Sequence, residues 1–384
     1  MSDAVRRLRT LTVALITLQL CLCLAPRASY ALDDPELLEA HSAIVCDQAG
    51  NVLWSKNPDD ELPMASITKV MTAMVALDSG MSLDTVCTIT EQELYWNSQE
   101  VGYKATDKPT LREVLQAMLV YSGNDAALNV ALNVSGNEQA FVDLMNAKAA
   151  ELGMTHTHFA NPHGLEAEGH YSSVADLVTM GRYALTHYPF IASTVRMRTV
   201  DVVAGGEPMT LESTDDLMEI YEGLLGIKTG AVEAGTTFLG ASQRGTVSLY
   251  TAVLGCATSE GRFADTATLM DWAYDNYERK TFGSAGWRVR VSPYALGFNA
   301  RCVTTLPSDP TAITWPTGQV TYRRVSSAPE LLVEPGDAVS STSWRQSGRF
   351  AGGSNVKVDG TLAQVPSVNP LALPLFSSSA EEDL

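Results

Sequence analysis

Hydrophobic and polar positions change rhythm several times along the chain, and each change marks a different kind of element. Residues 42–46 and 52–55 are short apolar runs joined across Asp47-Gln48-Ala49-Gly50-Asn51, which predicts a β-hairpin. Residues 66–77 are apolar on nearly every helical face, which predicts a buried helix ended by Gly80. Residues 111–120 are amphipathic, and 126–134, 138–152 and 176–185 continue the helical pattern. A loop rich in His, Asn, Pro and Gly interrupts them over 155–171. After Leu224 the rhythm shortens to strands at 225–229, 237–242 and 248–254, with Arg244-Gly245 turning between the last two. Residues 263–277 predict a final helix. Strands, then helices, then strands and a helix describe an α+β fold, an antiparallel sheet flanked by helices with an inserted helical subdomain.

The two ends differ from this body. Arg6, Arg7 and Arg9 precede an apolar run over 11–25, and Ser29 and Ala31 stand at −3 and −1 of a cut after Ala31. Residues 1–31 therefore read as a secretory signal peptide, too short an apolar run for a span of about 20 residues. Uncleaved, the segment would be an anchor, and membrane contact is expected at most there. From Gly286 helical patterning stops, and Val, Thr, Trp, Pro and Gly dominate short segments. The expected division is 32–285 as the main domain, 286–371 as a small all-β domain and 372–384 as a disordered tail.

Composition narrows the function. The 384 residues are 45% hydrophobic and 18% charged, a globular profile. Lys and Arg number 26 against 44 Asp and Glu, a net charge of −18. That argues against a nucleic-acid binder, which would need a basic face, and against electrostatic docking on anionic lipid. Four cysteines remain beyond the leader, Cys46, Cys87, Cys256 and Cys302, in no zinc-ligand spacing. Export permits disulfides. Cys46 and Cys256 lie in strand-like runs that could be neighbours, so a Cys46–Cys256 bridge stands beside buried free thiols as a reading.

Three short motifs carry candidate chemistry. Ser66-Ile67-Thr68-Lys69 opens the apolar helix. A spacing of i, i+3 puts hydroxyl and amine on one face, and a desolvated lysine can act as base for a serine nucleophile. A helix cap with a surface lysine is the alternative. Chance also supplies Ser354-Asn355-Val356-Lys357, in a Gly-rich β context that would not bring the pair together. Ser122-Gly123-Asn124 lies between two helices, where Ser can pass a proton and Asn can hold a substrate amide, or both can merely cap. A second copy, Ser135-Gly136-Asn137, lies less favourably spaced from Ser66. Lys228-Thr229-Gly230 lies in a strand, where Lys and Thr can bind a carboxylate and Gly admits a ligand to the backbone.

In this order the three motifs resemble those of serine acyl-transfer enzymes of the penicillin-binding type. The nucleophile segment Pro63-Met64-Ala65-Ser66-Ile67-Thr68-Lys69, the run Ser122-Gly123-Asn124-Asp125-Ala126-Ala127, the loop Asn161-Pro162-His163-Gly164-Leu165 and Gly226-Ile227-Lys228-Thr229-Gly230 are similar to the D-alanyl-D-alanine carboxypeptidases, the low-molecular-weight penicillin-binding proteins. The resemblance covers roughly 36–280. It implies a β-lactamase/transpeptidase-like fold, no cofactor and no metal. It implies peptidoglycan stem peptide as substrate, β-lactams as covalent inhibitors and a place outside the cytoplasmic membrane. It implies Ser66 as nucleophile, Lys69 as base and Ser122 as proton relay. Asn124 would bind peptide, Lys228, Thr229 and Gly230 the terminal carboxylate, and the backbone N–H groups of Ser66 and Ala231 the oxyanion. Arg262 resembles an arginine that helps hold the carboxylate, a surface ion pair being its other reading.

The chain also departs from that pattern. Ala231-Val232 follow where the family often has an aromatic or His and then Thr, and residues 212–223 are unusually acidic. Three rival readings remain. A β-lactamase would need a carboxylate for deacylating water, and Glu166-Ala167-Glu168-Gly169-His170 does not match its Glu-x-x-Leu-Asn pattern. A zinc peptidase would draw on the four histidines between His156 and His170, but none pair at i, i+4 on a helix. A non-catalytic wall-binding protein would bind penicillin without releasing D-alanine.

Overall fold

The structure is a computed structural model that describes residues 33–276 except 93, 95–97 and 246, and beyond 276 little more than strand backbone. Its residues divide into two units, Asp34–Asp275 and one that includes Asn276–Leu384. The leader expected over 1–31 lies outside the described residues, and so does most of the 372–384 tail.

In the first unit, β1 (Ser42–Asp47) and β2 (Val52–Lys56) form the predicted hairpin. They join β5 (Leu224–Val232), β6 (Gly235–Arg244) and β7 (Val247–Cys256) in one antiparallel sheet ordered β2-β1-β7-β6-β5. The chain thus leaves the sheet after β2 and returns at β5, which places β5 at an edge. Every residue of β1 is buried, as its unbroken apolar run requires of a strand covered on both faces.

Helices cover those faces. α1 (Thr68–Asp78) is buried from Thr68 through Ala76, and α2 (Leu111–Val120), α3 (Asn124–Ser135), α4 (Glu138–Glu151), α5 (Val174–His187) and α6 (Pro189–Thr194) pack around it. A helix apolar on all sides can be stable only in such a place. α5 lies on the sheet at Gly181, where a Cβ would come 3.1 Å from Ile227 and Leu239 side chains. The neighbouring Phe238 instead meets Phe263 of α8 (Ser259–Asn276), with ring centroids 5.5 Å apart. Successive strand residues face opposite ways, so α5 and α8 sandwich the sheet.

A hairpin not anticipated from the sequence is made by β3 (Thr199–Ala204) and β4 (Glu207–Glu212). Its signals are an alternation of buried Val200, Val202 and Ala204 with exposed neighbours, and Gly205-Gly206. Both glycines have positive φ, +62° and +80°, the conformation of a tight two-residue turn. Asp107 accepts from both of their N–H groups. A four-residue helix, α7 (Leu217–Ile220), follows within the acidic segment before β5.

The Cys46–Cys256 bridge does not form: Cys46, Cys87 and Cys256 are free and buried. β1 and β7 are indeed neighbours, but Cys46 pairs in register with Tyr250. Cys256 lies six residues further along, about 20 Å at about 3.3 Å per residue, far beyond disulfide reach. Burial raises the Cys46 and Cys256 thiols to about 12, which leaves them inert.

Beyond Asn276, strands including Phe298–Thr305, Val320–Ser326, Ala338–Gln346 and Arg349–Gln364 pair antiparallel. The chance motif at Ser354 and Lys357 falls inside the last of these, on strand rather than helix.

Candidate active site

The nucleophile turn departs from the simple helix start read in the sequence. Residues Ala65–Ile67 form a 3-10 turn, and regular α-helix begins at Thr68. Ala65 has φ +51°, a left-handed conformation that folds Ser66 tightly over α1. The i, i+3 relation survives this change. Lys69 Nζ lies 2.7 Å from Ser66 Oγ.

Lys69 is completely buried. Its Nζ also donates to Asn124 Oδ1 at 2.6 Å and to the His163 carbonyl at 2.5 Å. Burial, and then the charge of Lys228, hold its pKa well below the ordinary lysine value. A neutral amine has two protons and one lone pair. With Asn124 and His163 taking the two protons, the lone pair is left for the Ser66 hydroxyl, the arrangement a general base needs.

The turn between α2 and α3 supplies the second wall. Ser122 is 5% exposed and held at φ +73°, strained backbone of the kind found at functional sites. Gly123 follows, where a Cβ would come 2.5 Å from Val101. Asp125, next along, accepts from the backbone N–H groups of Val101, Gly102 and Tyr103, so the loop before α2 is clamped to the start of α3.

β5 supplies the third wall. A Cβ on Gly230 would lie 2.7 Å from Ala65 Cβ and 3.0 Å from Ser66 N, and would strike Thr237 Oγ1. Only glycine lets the strand edge come this close to the nucleophile. Lys228 Nζ donates to Thr229 O at 3.2 Å, and Arg262, on α8 and 6% exposed, donates from a terminal guanidinium nitrogen to Gly230 O at 2.7 Å. Arg262 is therefore part of this wall and not a surface ion pair. Its Nε has no partner, nor does the buried Oδ2 of Asp215. Burial, then the Arg262 charge, lower Lys228 to about 7, while Asp215 acts the other way. Burial raises Asp215 to about 6. Two cations resting mainly on backbone carbonyls retain capacity for an incoming carboxylate. Thr229 Oγ1 lies 2.5 Å from Thr214 Oγ1, which orients that hydroxyl.

A cleft of about 440 Å³ opens beside Ala65, lined among others by Gly164, Glu166, His170 and Val232. Glu166 accepts from the Ala234 N–H at 3.1 Å. The loop histidines are occupied: His163 Nδ1 accepts from Leu165 N, and His170 bonds through both ring nitrogens. Among the described residues no group of three or more His, Cys, Asp or Glu is placed to hold a metal ion.

Direct hydrogen bonds thus join Ser66, Lys69 and Asn124, and Gly230 packs beside Ser66, with Lys228 and Thr229 on the same strand and Arg262 reaching it from α8. Sequence reasoning placed Asp125 in the second motif without giving it a role, and did not find Thr214 or Asp215. Asp215 sits in the acidic run 212–223, read only as a departure that could reshape substrate binding, and no spacing ties it to Lys228.

Comparison with known proteins bears on the family and the fold. The sequence profile of the family described as D-alanyl-D-alanine carboxypeptidase matches residues 30–258. D-alanyl-D-alanine carboxypeptidase DacF of Bacillus subtilis (strain 168) is 32% identical over 246 residues, 62% of this chain. That match spans only 63% of the Bacillus protein's length. DacB2 of Mycobacterium tuberculosis (strain H37Rv) is 34% identical over 253 residues, 64% of this chain and 86% of that protein. Among solved structures, penicillin-binding protein 5 from Haemophilus influenzae superposes with a TM-score of 0.66 at 23% identity, covering 86% of this chain and all of that one, a likeness of fold. Penicillin-binding protein D2 from Listeria monocytogenes, in its ampicillin-bound form, gives 0.56 at 30% identity over 63% of this chain and all of that one.

Proposed function

Since the chain belongs to the D-alanyl-D-alanine carboxypeptidase family, we propose that it removes the terminal D-alanine from peptidoglycan stem peptides through an acyl-enzyme on Ser66. The observation that carries this reading is the completely buried Lys69 amine, 2.7 Å from Ser66 Oγ with its other contacts already taken.

The steps follow from the three walls. Lys228, Thr229 and Arg262 hold the terminal carboxylate at the β5 edge, and Asn124 holds the peptide. Lys69 takes the Ser66 proton as Oγ attacks the carbonyl carbon of the penultimate residue. The negative charge moves to the carbonyl oxygen, between the N–H groups of Ser66 and Ala231. Preorganised donors of this kind are worth about 10²–10³ in rate each. The C–N bond then breaks, and the proton taken by Lys69 passes through Ser122 to the departing amine, which leaves Lys69 neutral again. Water, deprotonated by Lys69, attacks the acyl carbon; the ester C–O bond breaks, Ser66 Oγ regains the proton, and the shortened peptide is released. A β-lactam enters the same path, but its opened ring stays attached to Ser66.

The substrate lies in the cell wall, so the protein works on the outer side of the cytoplasmic membrane, with residues 1–31 as the export signal.

The test is incubation with a pentapeptide muropeptide followed by mass spectrometry. Wild type is expected to release one alanine and Ser66→Ala none. Penicillin labelling of Ser66 without any alanine release would instead identify a non-catalytic binding protein, the outcome to which the Ala231-Val232 departure points.

A further inference from the structure

Behind the nucleophile runs a chain of hydrogen bonds that none of the steps above uses. His170 is 6% exposed. Its Nδ1 accepts from Ala160 N at 3.0 Å, so that nitrogen carries no proton and the ring proton sits on Nε2. Nε2 lies 2.8 Å from Thr68 Oγ1 and donates to it. The Thr68 hydroxyl, its lone pair engaged, donates in turn to Ala65 O at 2.8 Å. The Thr68 N–H reaches the same carbonyl.

Ala65 O and Ser66 N–H belong to one trans peptide and point in opposite directions. Drawing the carbonyl back toward Thr68 aims the Ser66 N–H forward, toward β5. A Cβ on Gly230 would lie 3.0 Å from that nitrogen. Gly164 packs against the same peptide, where a Cβ would strike Ala65 O and lie 2.9 Å from Ser66 N. The left-handed φ of Ala65 means that the peptide needs an external hold to keep this orientation.

We propose that His170 is a positioning residue for the oxyanion hole: through Thr68 it fixes the Ala65–Ser66 peptide so that the Ser66 N–H meets the oxyanion. The assignment rests on the acyl-transfer reading. It depends on one tautomer of His170. Burial, followed by the charges of His158 and Lys69, pushes the ring down to about 4, so it stays neutral across the working range.

The experiment measures acylation of the full chain by a fluorescent penicillin under stopped flow. Thr68→Val keeps the side-chain shape and removes the hydroxyl. It is expected to slow acylation about ten-fold or more, with the preceding non-covalent dissociation constant unchanged. Thr68→Ser restores the hydroxyl and is expected within about two-fold of wild type. His170→Gln attacks the same bond from its other end and is expected to slow acylation comparably. The pH at which acylation switches on belongs to Lys69, so it stays in place in Thr68→Val. A Thr68→Val enzyme as fast as wild type, a Thr68→Ser enzyme as slow as Thr68→Val, or a shift of that pH limb overturns the assignment. Wild type that takes no penicillin overturns the acyl-transfer reading as well, so the two failures are distinguishable.

Discussion

In the proposed reaction two fully buried lysines must do opposite things. Lys69 has to be neutral to receive a proton, and Lys228 has to be charged to hold a carboxylate. Burial lowers both. Each also feels one carboxylate that favours its charged form, Asp125 for Lys69 and Asp215 for Lys228. The lowering is stronger at Lys69, whose protons go to two uncharged acceptors, Asn124 Oδ1 and the His163 carbonyl. Replacing Lys69 by Met keeps the packing but removes the base. It is expected to slow penicillin acylation by about 10²-fold or more, read by stopped-flow fluorescence. Gly230→Ala is a steric counterpart. The added methyl meets Ala65, Ser66 and Thr237 at once, so β5 must retreat from the nucleophile. An offset of about 1 Å can cost about 10²-fold in rate, and single-turnover acylation is expected to fall by that order.

Among the elements, the turn between α2 and α3 is held less by its own sequence than by its neighbour. Ser122 has a strained φ, and Asp125 gathers three backbone N–H groups of the loop before α2. Asp125→Ala leaves those donors unpaired and is expected to lower unfolding stability by about 3 kcal/mol in urea denaturation. Acylation should fall with it, since Asn124 sits on the same turn. The elements themselves were largely legible. The reading of 111–120 as a helix coincides with α2 (Leu111–Val120), and the other long helices differ by a few residues at their ends. The β3–β4 hairpin was overlooked because its strands carry Asp201, Glu207 and Thr210 on an open face, which dilutes the apolar signal.

For the whole molecule, charge and pH decide. The chain carries −18, and its sequence has few lysines, yet Lys228 lies near enough for its charge to act on Lys69. A bell-shaped dependence on pH follows. On the acid side the limb is the loss of a proton from Lys69. On the alkaline side Lys228, lowered to about 7, gives up its charge as pH rises, and carboxylate binding weakens. The kcat/KM for a peptide with a free carboxylate is therefore expected to fall above about pH 7. An uncharged ester lacking that carboxylate should not show the fall. Asp215→Asn removes a neighbour that favours charged Lys228, so the alkaline limb should move to lower pH. A limb that stays in place would remove Asp215 from this role.

The sequence by itself determined the identities that chemistry demands and the local rhythm that places them: a Ser and Lys one turn apart, a Ser and Asn in a turn, a Lys-Thr-Gly on a strand. Those relations span only a few residues, and side-chain spacing along a helix or strand is fixed by backbone geometry. Tertiary structure alone decided the rest. It placed Arg262 inside the site, kept Cys46 and Cys256 at opposite ends of a strand pair, and set Asp215 beside Lys228. It also tied His170 to Ala65 through Thr68, across about a hundred residues of chain. Such contacts depend on sheet order, register and the close approach allowed by Gly164 and Gly230. No short-range pattern encodes them, because they exist only once the helices and the sheet have packed.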